Sequence, residues 1–165
     1  MAIRGKLVAL VLAACVAGLL AGTAAAQEND DRHAGYYYPE PQATETYTAR
    51  VTTLSDSDRS RRIGFVTGLT KQTLAGQYEP SFVVFAKGDD AEKLLIVGLV
   101  EGRLDTVYRA RALLAQLTAV SRLTPFFQEN TLAEQATFLD LLKLLGFRQL
   151  TVSDGDKFAL QIAIE

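Results

Sequence analysis

The chain has 165 residues, a formal net charge of −2, one histidine and one cysteine. This length suits a single folded domain. The mildly acidic balance argues against a nucleic-acid-binding protein, because that binding depends on basic side chains that neutralise phosphates.

The first 26 residues have the pattern of a cleavable secretory signal peptide. Two basic residues precede an apolar run over Leu7–Leu20. Ala24 and Ala26 then supply the small side chains that a signal peptidase requires just before a cut at Gln27. Removing these 26 of the 165 residues leaves 139. We therefore expect a periplasmic or secreted protein with no transmembrane span after processing.

Two alternatives to simple cleavage remain open. The first is a retained membrane anchor, although the apolar run is shorter than the roughly 20 residues that span a bilayer. The second is a lipoprotein, because Leu12–Cys15 has the form of a lipobox in which Cys15 is acylated. Cleavage before Gln27 would leave a chain without cysteine, and hence without a disulfide or a thiol nucleophile.

Residues 27–45 are predicted to form an extended arm. Pro39 and Pro41 restrict the backbone to extended conformations. Tyr36, Tyr37 and Tyr38 precede them, and tyrosines offer large, rigid contact areas with a polar tip. We expect these three residues to hold the arm against its own sheet or across a homo-oligomer. The alternative is that they are a site for binding a partner, such as another envelope protein.

Residues 46–165 are predicted to form a single α+β domain. The pattern of apolar residues, turns and caps predicts elements in the order β-α-β-β-α-α-β-β. The first strand covers Tyr47–Leu54, and a helix over Asp58–Ala75 presents Ile63, Val66, Leu69 and Leu74 mostly on one face. The remaining elements are a central hairpin over Ser81–Ala86 and Lys93–Val100, a helix over Leu104–Leu123, a helix over Leu132–Leu145, and strands over Arg148–Val152 and Phe158–Ile164.

The connections between these elements predict the sheet and the helix ends. Tight turns between adjacent strands favour a mainly antiparallel sheet of about five strands, with about three helices packed on it. Thr131 and Glu134 have the spacing of a capping box that would open the last helix, and Gly146 has the position of the glycine that ends it. The segment Pro125–Phe127 is expected to interrupt the helical region.

The candidate sites are few. His33 stands near acidic residues, but one imidazole at an unstructured terminus lacks the rigid ligand set that a metal requires, so we expect no metal site. The scarcity of histidine also argues against a catalytic triad. Arg109, Arg111 and Arg122, together with Arg61 and Arg62, are candidates for anion binding, and Arg111 and Arg122 lie eleven residues apart on one predicted helical face. The commoner interpretation is that these are solvated surface arginines balanced by nearby acidic residues. No catalytic residue and no cofactor are predicted.

Four stretches carry a resemblance to a known group of proteins. DRHAGYYYPEPQ (31–42), FAKG (85–88), YRARA (108–112) and FLDLLKLLGFRQLTVSDGD (138–156) resemble small exported bacterial proteins of unknown function. Some of these carry the label molybdopterin-guanine dinucleotide biosynthesis protein A. The resemblance brings no catalytic residues, and the Leu-x-Gly-Gly nucleotide loop of the nucleotidyltransferases with that label does not occur in this sequence.

These patterns favour an exported, non-enzymatic binding or accessory protein of the cell envelope. The alternative is an enzymatic or cofactor-handling protein that uses arginine and carboxylate side chains, as a molybdenum-cofactor label would imply. A deep pocket in which arginine and acidic side chains converge would favour the alternative.

Processing can be tested directly. Mass spectrometry of the exported protein should find Gln27 as the first residue, with or without cyclisation to pyroglutamate, because the small residues that precede it fit the peptidase. A lipid attached to Cys15 would contradict this expectation.

Overall fold

The structure, a computed structural model, describes residues 38–130 and 134–165. Within these residues it is an α+β fold of a five-stranded sheet and four helices, which confirms the predicted class. In chain order the elements are β1 (Ala43–Tyr47), α1 (Arg59–Leu74), β2 (Phe82–Lys87), β3 (Lys93–Gly98), α2 (Val107–Arg122), α3 (Pro125–Asn130), α4 (Phe138–Leu144), β4 (Gln149–Ser153) and β5 (Ala159–Ile164).

The sheet is mixed, so the prediction of a mainly antiparallel sheet was wrong. Its strand order is β1-β5-β4-β3-β2. The two hairpins, β2–β3 and β4–β5, are antiparallel, whereas β3–β4 and β1–β5 are parallel. The helices α2, α3 and α4 connect β3 to β4, and such a long crossover joins parallel strands. The fourth helix is α3, which forms where only an interruption was predicted.

The first strand lies earlier in the chain than predicted. It covers Ala43–Tyr47, inside the segment assigned to the arm, rather than Tyr47–Leu54. Its side chains alternate between half-buried and exposed, as an edge strand requires. Ala43 and Tyr47 pack against the core. The N–H of Ala49 still donates to the carbonyl oxygen of Glu165, and the chain leaves the sheet at Arg50, whose main-chain N–H donates to Asp140 on α4.

Helix α1 begins where it was predicted, and two of the four residues predicted for its inward face, Val66 and Leu69, pack against the core. The carboxylate of Asp58 accepts a hydrogen bond from the N–H of Arg61, which caps the helix. Ile63 and Leu74, predicted to face the core, are 36% and 65% exposed. Arg62 is instead the buried residue of this helix, with 7% exposure.

Helix α4 is shorter than the predicted helix over 132–145. It begins after Thr137, whose capping box with Asp140 replaces the predicted box of Thr131 and Glu134. Thr131 lies outside the described residues, and Glu134 precedes the helix by four positions.

The end of α4 confirms the predicted role of Gly146. This glycine has a φ of +80°, which side chains disfavour. The N–H of Gly146 donates to the carbonyl oxygen of Lys143, and the N–H of Phe147 donates to that of Leu142, both at 2.9 Å. This pair of hydrogen bonds is a Schellman motif, which satisfies the last carbonyl groups of the helix.

The core lies between one face of the sheet and the helices. Strand β3 is buried over Leu94–Val97, as the predicted central hairpin required, but its partner β2 is an edge strand. Among the described residues, no helix combines the length and the apolar character needed to cross a membrane. The helix-side core includes Leu94, Ile96, Leu150, Val152 and Leu160 from the sheet and Leu117, Phe138, Leu142 and Phe147 from the helical layer and its connections.

Leu142 tests this packing. Its side chain has 0% exposure, so Leu142→Ala should lower the free energy of unfolding by about 2–5 kcal/mol, as buried leucine truncations do. The matched control is Leu123→Ala, at the end of α2, because that side chain is 78% exposed. Denaturant titration measures both; a loss under about 0.5 kcal/mol for Leu142→Ala would contradict the burial of this helix.

Candidate functional site

Of the three arm tyrosines, the structure describes Tyr38. Tyr36 and Tyr37 lie outside the described residues. Tyr38 is half-buried, and the ammonium group of Lys87 lies 4.8 Å from the centre of its ring. This distance is within the range of a cation–π interaction. Tyr38 therefore contacts its own sheet.

The described start of the arm, Tyr38–Gln42, crosses the sheet on the face opposite the helices. Lys87 is three residues beyond Val84, a member of the helix-side core, and so points to the other face. At the other end of the arm, Gln42 and Ala159 exchange two hydrogen bonds of 3.0 and 2.7 Å. Because Ala159 begins β5 and Lys87 ends β2, the segment between Tyr38 and Gln42 runs across the sheet.

Arg111 and Arg122 have separate structural partners. Arg111 forms an ion pair of 2.7 Å with Glu45 of β1. Arg122 donates to the carbonyl oxygens of Glu134 and Ala136 ahead of α4. Eleven residues of helix place the two positions about 16 Å apart along the axis. The structure thus does not bring them together around one small anion.

Asp140 forms a buried network that the sequence analysis did not identify. It has 0% exposure. Its carboxylate accepts hydrogen bonds from the N–H groups of Arg50 and Thr137 and from the hydroxyl groups of Tyr47 and Thr137. The signal was present as Thr-x-x-Asp at 137–140, the spacing of a capping box.

The pKa values in this network follow from its hydrogen bonds. Burial alone would raise the pKa of Asp140, but the donors from Arg50, Thr137 and Tyr47 outweigh it and hold the pKa below its usual range. The pKa of the Tyr47 hydroxyl is raised, first by burial and further by the adjacent Asp140 carboxylate. Asp140 therefore stays ionised and Tyr47 stays neutral, which suits a structural role.

A polar pocket lies at the end of the sheet where β3 and β4 begin; we call it the Arg62 pocket. Its volume is about 550 Å³. Arg62 enters it from the first turn of α1, donating from Nε to the carbonyl oxygen of Asp90 at 2.9 Å and from Nη1 to that of Leu145 at 3.4 Å. The pocket is lined by Thr53, Ser57, Arg62, Asp89, Asp90, Glu92, Lys143, Gly146, Phe147 and Arg148.

Two features of the Arg62 pocket are unusual for a protein interior. No carboxylate among the described residues forms an ion pair with the guanidinium of Arg62. The hydroxyl oxygen of Ser57 is buried and has no hydrogen-bond partner in the described part of the chain. Buried polar groups are normally satisfied, so both point to a missing partner. The sequence contained one signal: Arg62 shares the spacing of Val66 and Leu69, and therefore their helical face.

An apolar cleft, the α1–α2 cleft, separates α1 from α2, α3 and α4. Its volume is about 390 Å³. Helix α1 rests on β2, whereas α2 packs on α3 and α4, and the space between the two groups remains open. At the base of the cleft, the ring of Phe65 contacts the rings of Phe138 and Phe147. The apolar lining consists of Phe65, Leu69, Leu117, Val120, Phe126, Phe138, Leu141 and Leu145.

Three of the four polar residues that line the α1–α2 cleft, all except Gln72, form local hydrogen bonds or an ion pair. Ser121 donates to the carbonyl oxygen of Leu117, and Thr124 donates to that of Ser121. Arg61 forms an ion pair of 2.6 Å with Asp56. The cleft thus offers mainly apolar contact.

Comparisons with known proteins give no assignment. No family model, curated protein or solved structure matches the chain. Within residues 38–130 and 134–165, no group of three or more histidine, cysteine, aspartate or glutamate side chains is placed to hold a metal ion. His33 lies outside these residues.

The Asp140 network predicts acid sensitivity. Because the pKa of Asp140 is lowered in the folded state, its stabilisation is fully present above the unfolded pKa of about 3.9 and is lost as the pH falls through the folded value. Asp140→Asn should lower the free energy of unfolding by about 2–4 kcal/mol at pH 7, and this deficit should shrink below about pH 4.

Urea titrations from pH 7 to pH 2.5 would measure this dependence. The exposed Asp156 supplies the control, since Asp156→Asn removes a charge without touching the network. An Asp140→Asn deficit that stays constant with pH would contradict the assignment.

Proposed function

We propose that this protein is an exported, non-enzymatic binding protein of the cell envelope, and that it holds an uncharged apolar ligand in the α1–α2 cleft. The observation that carries the proposal is the cleft itself. Its volume of about 390 Å³ falls within the range of small-molecule sites, which is roughly 300–1,000 Å³. Export remains an expectation from the sequence of residues 1–26.

The composition of the α1–α2 cleft supports binding of an apolar molecule. Eight of its twelve lining residues are aliphatic or aromatic. Val120 is 49% exposed at its edge, and Phe65, Leu69 and Phe126 are only half-buried. A ligand that covered these side chains would gain the free energy of apolar burial, about 25 cal/mol per Å².

The chemistry of the lining favours binding over catalysis. The described residues that line the cleft include no carboxylate, and its one charged side chain, Arg61, is already paired with Asp56. Acid–base and nucleophilic catalysis both need a titratable group directed at the substrate.

A second candidate function is favoured by a different observation. In the Arg62 pocket, arginine and acidic residues line one cavity, as a protein that handles a charged substrate or cofactor would require. This candidate is independent of the cleft, and it is developed below as a binding site.

The cleft can be tested with N-phenyl-1-naphthylamine, an uncharged fluorescent probe. Titration of the purified protein should give saturable binding, with enhanced fluorescence in the apolar environment. Val120→Arg places a charge at the edge of the cleft and should weaken probe affinity at least about tenfold, equivalent to ~1.4 kcal/mol.

The matched control is Leu123→Arg. Leu123 is an exposed aliphatic residue at the same end of α2 and does not line the cleft. Its substitution should leave the affinity unchanged. Absence of saturable binding by the parent protein, or equal loss in both variants, would argue against this function.

A further inference from the structure

We propose that the Arg62 pocket is a binding site for a carboxylate group, held by Arg62 and Ser57 over Gly146. This inference does not depend on the ligand of the α1–α2 cleft, because the two cavities have no lining residue in common. The ligand class is a small molecule or a chain end that carries a carboxylate.

The charge of Arg62 has no balancing carboxylate among the described residues. A buried charge is costly unless a group of opposite charge or several hydrogen bonds compensate for it. Arg62 is 7% exposed, and its hydrogen bonds among the described residues use Nε and Nη1 only. One N–H group of Nη1 and the two of Nη2 therefore remain available to an acceptor. Bidentate binding by guanidinium suits the geometry of a carboxylate.

The position of Ser57 also supports a ligand in this pocket. Its hydroxyl is buried with no partner in the described part of the chain, although an unsatisfied buried donor costs about 1–3 kcal/mol. A methyl group in the place of the Gly146 side chain would lie 2.5 Å from Ser57 Oγ and 2.6 Å from Arg62 Nη1. These two donors are thus within about 5 Å of each other, and one oxygen atom can accept from both.

The bare surface of Gly146 supports the same site. A side chain at this position would displace Ser57 Oγ and Arg62 Nη1, because its Cβ atom would lie too close to both. The absence of a Cβ atom therefore lets these two donors stand close to the main chain of Gly146 at the wall of the pocket. A glycine at such a position is typical of a site where a ligand contacts the backbone closely.

The acidic residues of the pocket favour a singly charged carboxylate over a doubly charged phosphate. Asp89 and Asp90 are exposed, and the Glu92 carboxylate accepts a hydrogen bond from the N–H of Asp90 at 3.2 Å. Three acidic residues in one cavity offset its basic residues, so no surplus of positive charge is present to compensate a doubly charged ligand. Lys143 and Arg148 complete a balance of three basic and three acidic residues.

Sodium acetate is the probe for this site. Amide NMR spectra of the purified protein, titrated with acetate against sodium chloride at equal ionic strength, should show saturable shifts at Gly146 and Ser57. Sodium phosphate forms the second arm. Tighter binding of phosphate than of acetate would overturn the assignment to a carboxylate.

Ser57→Ala is the principal variant. Because the Ser57 hydroxyl has no partner within the described residues, its removal should leave the melting temperature unchanged or raised, while acetate binding weakens about tenfold. The matched control, Ser60→Ala on the exposed side of α1, should change neither quantity. Equal acetate affinity in Ser57→Ala and the parent protein would overturn the proposal.

Arg62→Met is a second, independent test of acetate binding in the Arg62 pocket. It removes the charge from the pocket, and acetate binding should be lost. Arg61→Met removes the same charge from the neighbouring residue, which does not line this pocket, and should leave acetate binding intact. If Arg62→Met fails to fold, Ser57→Ala still decides the question. Shifts that appear with chloride alone, or persist in Arg62→Met, would show an adventitious ion only.

Discussion

The buried carboxylate of Asp140 is the interaction on which much of the remaining structure depends. It accepts hydrogen bonds from the end of β1, through Tyr47 and Arg50, and from the start of α4, through Thr137. These segments are about 90 residues apart in the chain. The network therefore fixes where the first strand leaves the sheet. It does so with an ionised group whose cost of burial is offset by four donors.

The position of Asp140 also determines the route to α1. Beyond Arg50 the chain runs beside α4, where Thr53 and Leu54 donate to the carbonyl oxygens of Lys143 and Leu144 at 3.0 Å. The Leu144 carbonyl is an orphan of the last helical turn that the loop satisfies, whereas the Lys143 carbonyl accepts the bond from Thr53 in addition to the one from Gly146. This segment reaches Ser57, which lies next to Gly146. The side chain of Arg62, in the first turn of α1, then extends into the same pocket. The chain segment that lines the Arg62 pocket is thus positioned by its contact with Asp140.

Local patterns predicted the elements whose boundaries are set by local chemistry. Asp58 opens α1, and Gly146 ends α4, because caps require specific residue types. The sequence holds two capping-box patterns six residues apart, at Thr131 and at Thr137, and spacing alone does not choose between them. Tyr47, a residue distant in sequence, makes the choice by bonding Asp140.

The strand pairing depended on distant contacts in the same way. Strand β1 pairs with β5, more than a hundred residues later, and no turn joins them. The pattern of the first strand itself was readable, since Ala43, Glu45 and Tyr47 alternate with two threonines. The sites were harder to predict. Arg62 was named only as one of several arginines that could bind an anion, because a charged residue is usually exposed, and its burial follows from the packing of α1 onto β2.

The fold and the pocket both require glycine at position 146, whereas only the pocket makes use of the hydroxyl group of Ser57. At Gly146 the two requirements coincide, because the helix end needs a positive φ and the pocket has no room for a Cβ atom. A substitution there would strain the backbone and fill the cavity together, so its effects would not separate. At Ser57 the two requirements can be separated, since within the described residues its hydroxyl contributes no hydrogen bond to the fold. A buried polar atom that the fold does not use is best explained by a group that it binds.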